Sequence, residues 1–409
     1  MHAGKAGMIP LRAAQPRVFR SGWIGTGAPD FCFDAFSSCE PVSTSLENAL
    51  AGIFDMLPRF KAAAVHAAPV FLDSWATTEK AIAIIREAAR AGAELIAFPE
   101  TYIPAFPVWA ALWPPIDNHD LFVRMAEQSV LADGPEVARL CAEARALGVT
   151  VSIGISERSA VSVGGLWNSN LLIGETGEIL IHHRKLVPTF YEKLVWSSGD
   201  GAGLKVAETR QGRIGGLICG ENTNPLARFA LMAQGEQVHI SSWPPMWPTR
   251  RPAGGGNFDN VAANRIRASA HCFEAKVFGI VTAGYMDQAM RAFLIERDRT
   301  IADVIDQTPR AASFFVDPTG SVFGDGLQDE EGIAYAEIDL NRCVEPKQFH
   351  DVVGYYNRFD IFGVTVDRSR LTPARFRDSE QPIAEAQDAA ILSVDADAAS
   401  NGQGRDLRS

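Results

Sequence analysis

Three side chains stand where short apolar runs give way to loops, and their chemistry is complementary. Cys219 closes IGGLIC, Glu100 closes ELIAFPE and Lys185 closes ILIHHRK. A deprotonated thiol is a polarisable nucleophile suited to neutral pH. A carboxylate at a sheet edge is partly desolvated, which raises its pKa toward values useful to a general base. An ammonium beside them lowers a thiol pKa and stabilises an anionic tetrahedral intermediate. Cys219 is followed by GENTNPLARFALMAQG, a polar turn leading into a helix. Backbone N–H groups and the helix dipole there are expected to favour its thiolate. Taken singly, each residue has a plainer reading: a small buried hydrophobe, an exposed loop acid and a snorkelling surface lysine. They lie far apart in the chain, so the argument rests on one sheet edge gathering all three.

The surrounding pattern supplies such an edge. Residues 60–71 read as a strand, and Thr77–Thr78 offer an N-cap for an amphipathic helix ending at Gly92. Residues 94–100 read as a short strand, 134–147 as a helix and 149–155 as a buried strand. Residues 168–185 form a hairpin turning at Gly174–Gly177, and 204–219 a second one turning near Gln211–Gly212. NPLARFALMAQGE is a helix, QVHISSWP a strand and FDNVAANRIRASAHCFEAK a longer helix. KVFGIVTAG, AASFFVDPTGSVFGD and GIAYAEIDL read as further strands. Hairpins alternating with helices predict a layered α/β architecture.

Composition narrows the function classes. The chain has 409 residues, 47% of them hydrophobic, and a net charge of −11. An acidic chain lacks the electrostatic footprint of a nucleic-acid binder and is repelled by anionic membranes. No apolar run reaches the roughly 18–20 residues of a spanning helix. The first thirty residues carry Lys5, Arg12, Arg17 and Arg20 without the compact apolar run of a secretory signal. The six cysteines are scattered with no C-x-x-C pair, so a reducing cytoplasm is expected. Residues 1–57 are rich in Gly, Ser, Ala and Pro and read as a disordered extension, with the folded domain beginning close to Met56. Residues 371–409 read as a flexible tail.

Three segments resemble the nitrilase branch of the carbon–nitrogen hydrolase superfamily. They are AFPETYIPAFPVW, HHRKLVPTFYEKLVWSSGDG and GGLICGENTNPLARFALMAQGEQVHISSWP. The last is the most specific, matching over about thirty residues in order, and the resemblance covers residues 58–370. It implies a catalytic triad of Glu100, Lys185 and Cys219. Glu192, seven residues after Lys185, matches a second family glutamate that would orient the lysine. The implied fold is a four-layer α-β-β-α sandwich, and the implied assembly a homo-oligomer built from dimers, in some members a spiral. Two positions depart from the pattern. Gly220 stands where many nitrilases have Trp, which would reshape the pocket beside the nucleophile. Tyr355 stands where a His often occurs, which puts any role for an imidazole there in doubt.

The reaction implied is hydrolysis of a small organic nitrile to a carboxylic acid and ammonia through a covalent thioimidate, with neither metal nor organic cofactor. Aromatic residues flank the motifs and suit an apolar pocket for an aryl, arylalkyl or aliphatic nitrile. Tyr102, Trp167, Asn168, Tyr191, Gly220 and Trp243 are the candidate substrate-binding residues. An amidase would use the same triad on an amide, a nitrile-hydrating member of the superfamily would stop at the amide, and a non-catalytic filament-forming protein would keep the fold alone. A zinc site at His182–His183 and His239 is disfavoured, because adjacent strand residues point to opposite faces.

Overall fold

A computed structural model describes residues 57–374. The extension and most of the tail expected from composition lie outside the described residues. Two six-stranded sheets face each other. The first runs β12-β1-β2-β3-β4-β5 and the second β11-β10-β9-β8-β7-β6. The first comprises β1 (Arg59–His66), β2 (Leu95–Ala97), β3 (Thr150–Arg158), β4 (Leu166–Ile173), β5 (Ile179–Arg184) and β12 (Gly332–Asp339). The second comprises β6 (Ala207–Thr209), β7 (Gly212–Ile218), β8 (Val238–Trp243), β9 (Phe278–Ala283), β10 (Ser313–Val316) and β11 (Val322–Leu327).

Alternation along β1 shows why the layers stack. Phe60, Ala62 and Ala64 meet Ile214, Val238, Ile240, Phe278 and Phe315 of the opposing sheet in one apolar cluster. Ala63 and Val65 point the other way, toward α1 (Ser74–Arg90) and α4 (Pro135–Leu147). A strand reads apolar on both faces when one face meets a sheet and the other a helix. Outside the second sheet, Ala268 and Cys272 of α6 (Asn260–Ala275) pack on Trp243 and Val281. The result is the four-layer α-β-β-α sandwich.

Several boundaries differ from the sequence reading. β1 stops at His66, and the chain runs on without pairing toward Pro69, which has no N–H to give a ladder. α1 begins earlier than Thr77, because the Asp73 side chain accepts from Ala76 N–H and caps it. Thr77 and Thr78 lie inside the helix, their hydroxyls bonded to the Val70 and Ser74 carbonyls. Residues 311–325 make a hairpin, β10 and β11, turning where the Asp317 side chain accepts from Thr319 and Ser321 N–H. Besides the single turn Val344–Lys347, four helices among the described residues were not foreseen: α2 (Trp109–Leu112), α3 (His119–Gln128), α7 (Gln288–Arg297) and α8 (Ala302–Gln307). They are short and bury few residues each, so their apolar period is too brief to read. They build an aromatic-rich cluster around Phe106, Trp109, Trp196 and Trp247.

One crossing in the first sheet controls the site. Phe98 N–H donates to the Ser152 carbonyl, and pairing with β3 resumes only at Ile103, whose N–H donates to the Gly154 carbonyl. Between them the chain lifts away over Gly154, with Thr101 at φ +46°. A Cβ on Gly154 would lie 2.3 Å from the Thr101 nitrogen and 2.4 Å from the Pro99 oxygen. Only a residue without a side chain lets this loop lie so close. Gly154→Ala is therefore expected to displace the loop that carries Glu100 and to destabilise the fold by about 1–3 kcal/mol, the range for forced overpacking. Urea denaturation checks this, and an unchanged midpoint would refute it.

Candidate active site

The loop over Gly154 presents Glu100, β5 runs into Lys185, and β7 runs into Cys219. The structure brings these three side chains and Glu192 together in the interior. Lys185 Nζ donates to Glu100 Oε1 at 2.7 Å and to Glu192 Oε1 and Oε2 at 2.8 and 2.7 Å. None of the three side chains is exposed to solvent. One carboxylate oxygen of each glutamate and Cys219 Sγ all lie within 4.8 Å of one another. Asn168 Nδ2 donates to Glu100 Oε1 at 2.7 Å, and Glu100 Oε2 is buried with no hydrogen-bond partner.

Glu192 is held by its own backbone. It is buried in a 3₁₀ turn, Phe190–Leu194, and its Oε2 accepts from Thr189 N–H at 2.8 Å. Lys185 is held by a close approach. Gly199 N–H donates to the Lys185 carbonyl, and a Cβ on Gly199 would lie 2.4 Å from the Arg184 oxygen.

Burial dominates the electrostatics. It raises Glu100 to about 7, against the pull of the Lys185 ammonium. Burial also raises Glu192, again against Lys185. Lys185 is depressed by burial but raised more by Cys219, Glu100 and Glu192, so its ammonium is secure. The Cys219 thiol is pushed well above its ordinary value by burial and by Glu100, with Lys185 opposing. This corrects the expectation of a resting thiolate. Cys219 opens a 3₁₀ turn, Cys219–Thr223, and the next α-helix, α5 (Pro225–Met232), starts only beyond it. The first free N–H groups of α5 are taken by the Asn224 side chain, which accepts from Leu226 and Ala227. These N–H groups are thus engaged away from Cys219.

Cys219 sits at φ +50°, a left-handed conformation uncommon for a residue with a Cβ. The surroundings enforce it. Glu221 accepts from Ile218 N–H at 2.9 Å and Leu186 N–H at 2.5 Å, and lies 2.9 Å from His183 Nε2. One buried carboxylate so ties the Cys219 turn to the end of the Lys185 strand. It stays ionised because His183 and these N–H groups outweigh the burial that would raise it. Asn222 Nδ2 donates to the Leu217 and Cys219 carbonyls. Behind it, His239 Nε2 lies 2.8 Å from Asn222 Oδ1, and Glu236 bridges His239 and His271 at 2.8 and 2.6 Å. Glu236, His239 and His271 could offer three ligand atoms to a metal. Both Glu236 oxygens and both His239 nitrogens are already engaged, so the set serves to brace the turn. Sequence reasoning missed Glu221, Asn222 and Glu236. Their only signal is that they lie within the long Cys219 segment.

Cys219 and Gly220 border a small pocket of about 50 Å³, open to solvent, with Thr189, Trp243, Trp247 and α6 around it. A Cβ on Gly220 would approach Thr189 Oγ1 to 2.8 Å, so glycine keeps this entrance clear. Of the other expected binding residues, Asn168 serves Glu100 directly. Tyr191 stacks on Trp247 with ring centroids 4.4 Å apart, beside Glu192. Two are not brought to the site. Tyr102 is a core residue whose hydroxyl donates to the Ala68 carbonyl. Trp167 faces the opposite side of β4 from Asn168, under the Arg184 guanidinium at 3.8 Å. It lines a larger pocket of about 770 Å³ at the β4–β5 edge. Tyr355 is exposed, its hydroxyl bonded to the Gln348 carbonyl.

Residues 61–348 match the model of the carbon-nitrogen hydrolase family. The chain belongs to that family. Within the carbon–nitrogen hydrolases it falls in the nitrilase branch. It is 36% identical over 322 residues to a nitrilase described as bromoxynil-specific from Klebsiella pneumoniae subsp. ozaenae, covering 76% of this chain and 86% of that one. It is 35% identical over 320 residues to an aliphatic nitrilase from Rhodococcus rhodochrous, covering 77% and 84%. In fold it is similar to a branch 10 member of the nitrilase superfamily from Saccharomyces cerevisiae. That match has a TM-score of 0.55 at 18% identity and covers 72% of this chain and 95% of that one.

The clamp yields a prediction. Glu221→Ala leaves three donors without their acceptor in the interior. It is expected to cost about 3–5 kcal/mol, as for other broken buried charge pairs, measured by chemical denaturation. A loss under about 1 kcal/mol would mean that Glu221 does not carry the turn.

Proposed function

We propose that this carbon–nitrogen hydrolase is a nitrilase, converting a small organic nitrile and two waters to a carboxylic acid and ammonia. The observation that carries the reading is the buried Lys185 ammonium held between Glu100 and Glu192 beside Cys219 Sγ. The names of the relatives favour a nitrile substrate over an amide.

In this reading Glu100 takes the Cys219 proton as sulfur bonds to the nitrile carbon. That proton passes to the substrate nitrogen, giving a thioimidate. Water then adds with Glu100 as base, and collapse of the tetrahedral intermediate expels ammonia and leaves a thioester. A second water releases the acid and regenerates the thiol. A carboxyl group with a pKa near working pH can alternate between base and acid. Lys185 and a backbone N–H of the Cys219 turn, from Gly220 or Glu221, stabilise charge that develops on the substrate. Glu192 fixes the ammonium in place. We place this catalytic domain at residues 58–370, in a cytoplasmic homo-oligomer. Phe349, Tyr356, Phe359, Ile361 and Phe362 are exposed along one late segment, which supports contact with a second copy.

Two tests follow. Incubation with a nitrile panel is expected to release acid and ammonia and to give a covalent adduct on Cys219 by mass spectrometry, absent in Cys219→Ala. Amide as the sole product would refute the nitrilase reading. Second, Glu100 must be ionised to accept the thiol proton, and its pKa is about 7. kcat/KM is therefore expected to rise about tenfold per pH unit below about pH 7 and to level off above it. Glu100→Gln should lower kcat by about 100- to 10,000-fold and abolish that acid limb. An acid limb unchanged in the variant would sink the role of Glu100 as base.

A further inference from the structure

The pocket beside Cys219 is not uniformly apolar. Asn260, Asn264 and Arg267 project into it from α6. Their spacing of four and three residues places them on one helix face. Arg267 is half-buried, and its guanidinium lies over the Trp243 ring, 5.2 Å from the centroid. Among the described residues its one hydrogen bond is a 3.5 Å donation to Asn264 Oδ1. Among the described residues it has no carboxylate partner. The Trp243 indole N–H is also buried without an acceptor, and no acidic side chain lines the pocket. A guanidinium with only a long amide contact and no carboxylate partner among the described residues, beside an indole N–H without an acceptor, calls for an anionic or strongly accepting ligand group.

We propose that Arg267 selects nitriles that carry a carboxylate a few bonds from the cyano carbon. This rests on the nitrilase reading and names its substrate class. The cyano carbon is attacked by Cys219 at one end of the pocket, and Arg267 binds the carboxylate at the other. Trp243 contributes its face to the guanidinium, which fixes the planar fork for a bidentate contact. Neither Glu100 nor Glu192 lines this pocket.

The test compares matched substrates: a short ω-cyanocarboxylate and its neutral methyl ester, and 4-cyanobenzoate and its methyl ester. Acid release at the cyano group and ammonia are measured with the full-length enzyme. Wild type is expected to favour the carboxylate of at least one pair in kcat/KM by about 10- to 100-fold, the range of a charge-assisted hydrogen bond. Arg267→Leu should erase that preference, chiefly through KM for the anionic partner, and Arg267→Lys should restore part of it. The ratio within a pair cancels any general effect of Arg267 on the thiol. Equal use of both partners, preference for the esters, or a ratio unchanged in Arg267→Leu would overturn the proposal. No ammonia from any nitrile, charged or neutral, would instead overturn the nitrilase reading on which it rests.

Discussion

A single buried ammonium organises this molecule's chemistry. Lys185 has no solvent access, and its nitrogen is within hydrogen-bond distance of three carboxylate oxygens from Glu100 and Glu192. Taking an ammonium and two carboxyl groups out of water costs several kcal/mol per ion after relaxation, so such a cluster is poor evidence of stability for its own sake. Its effect is to set protonation. With one cation between two acids, one acid can ionise fully while the other stays near neutrality. Glu192 is fastened to Thr189 N–H, whereas Glu100 has one oxygen with no hydrogen-bond partner among the described residues.

The rest of the fold exists at this point to hold distances. The Glu100 loop lies against Gly154, the end of the Lys185 strand lies against Gly199, and the Cys219 turn is fastened through Glu221 to Leu186. Two of these are close backbone approaches and the third is a carboxylate with three partners. Main-chain constraints of this kind place a side chain more firmly than its own rotamer preference does. The left-handed Cys219 backbone is tolerable because those bonds over-determine it.

Much of this was legible in the chain, and the failures have identifiable causes. Glu100, Lys185 and Cys219 stood out because each ends an apolar run, and sandwich strands bring such ends together. Glu192 was legible only through family resemblance, since an acid seven residues beyond a lysine has no chemical signature. Trp167 and Asn168 show the limit of strand reading. They are neighbours in sequence, yet the twofold strand period sends one to Glu100 and the other to the far face. Tyr102 sits two residues from Glu100, but the loop over Gly154 turns it into the core. The resting thiolate was misjudged because a polar stretch before a helix looked like the helix start, and Asn224 had already claimed those N–H groups. The α6 face bearing Asn260, Asn264 and Arg267 had the right spacing in the sequence, but nothing local says what a helix face looks onto.

The division of labour between the two sheets has an evolutionary consequence. The proton-handling groups and their supports come from the first sheet and the loops at its edge. The nucleophile, Trp243 and the helix bearing Arg267 come from the second sheet and its outer layer. Substitutions at Asn260, Asn264 and Arg267 can therefore change the wall of the pocket while leaving the elements that hold Glu100, Lys185 and Glu192 in place. A lineage built this way can explore new substrates by small steps, none of which requires reinventing the reaction.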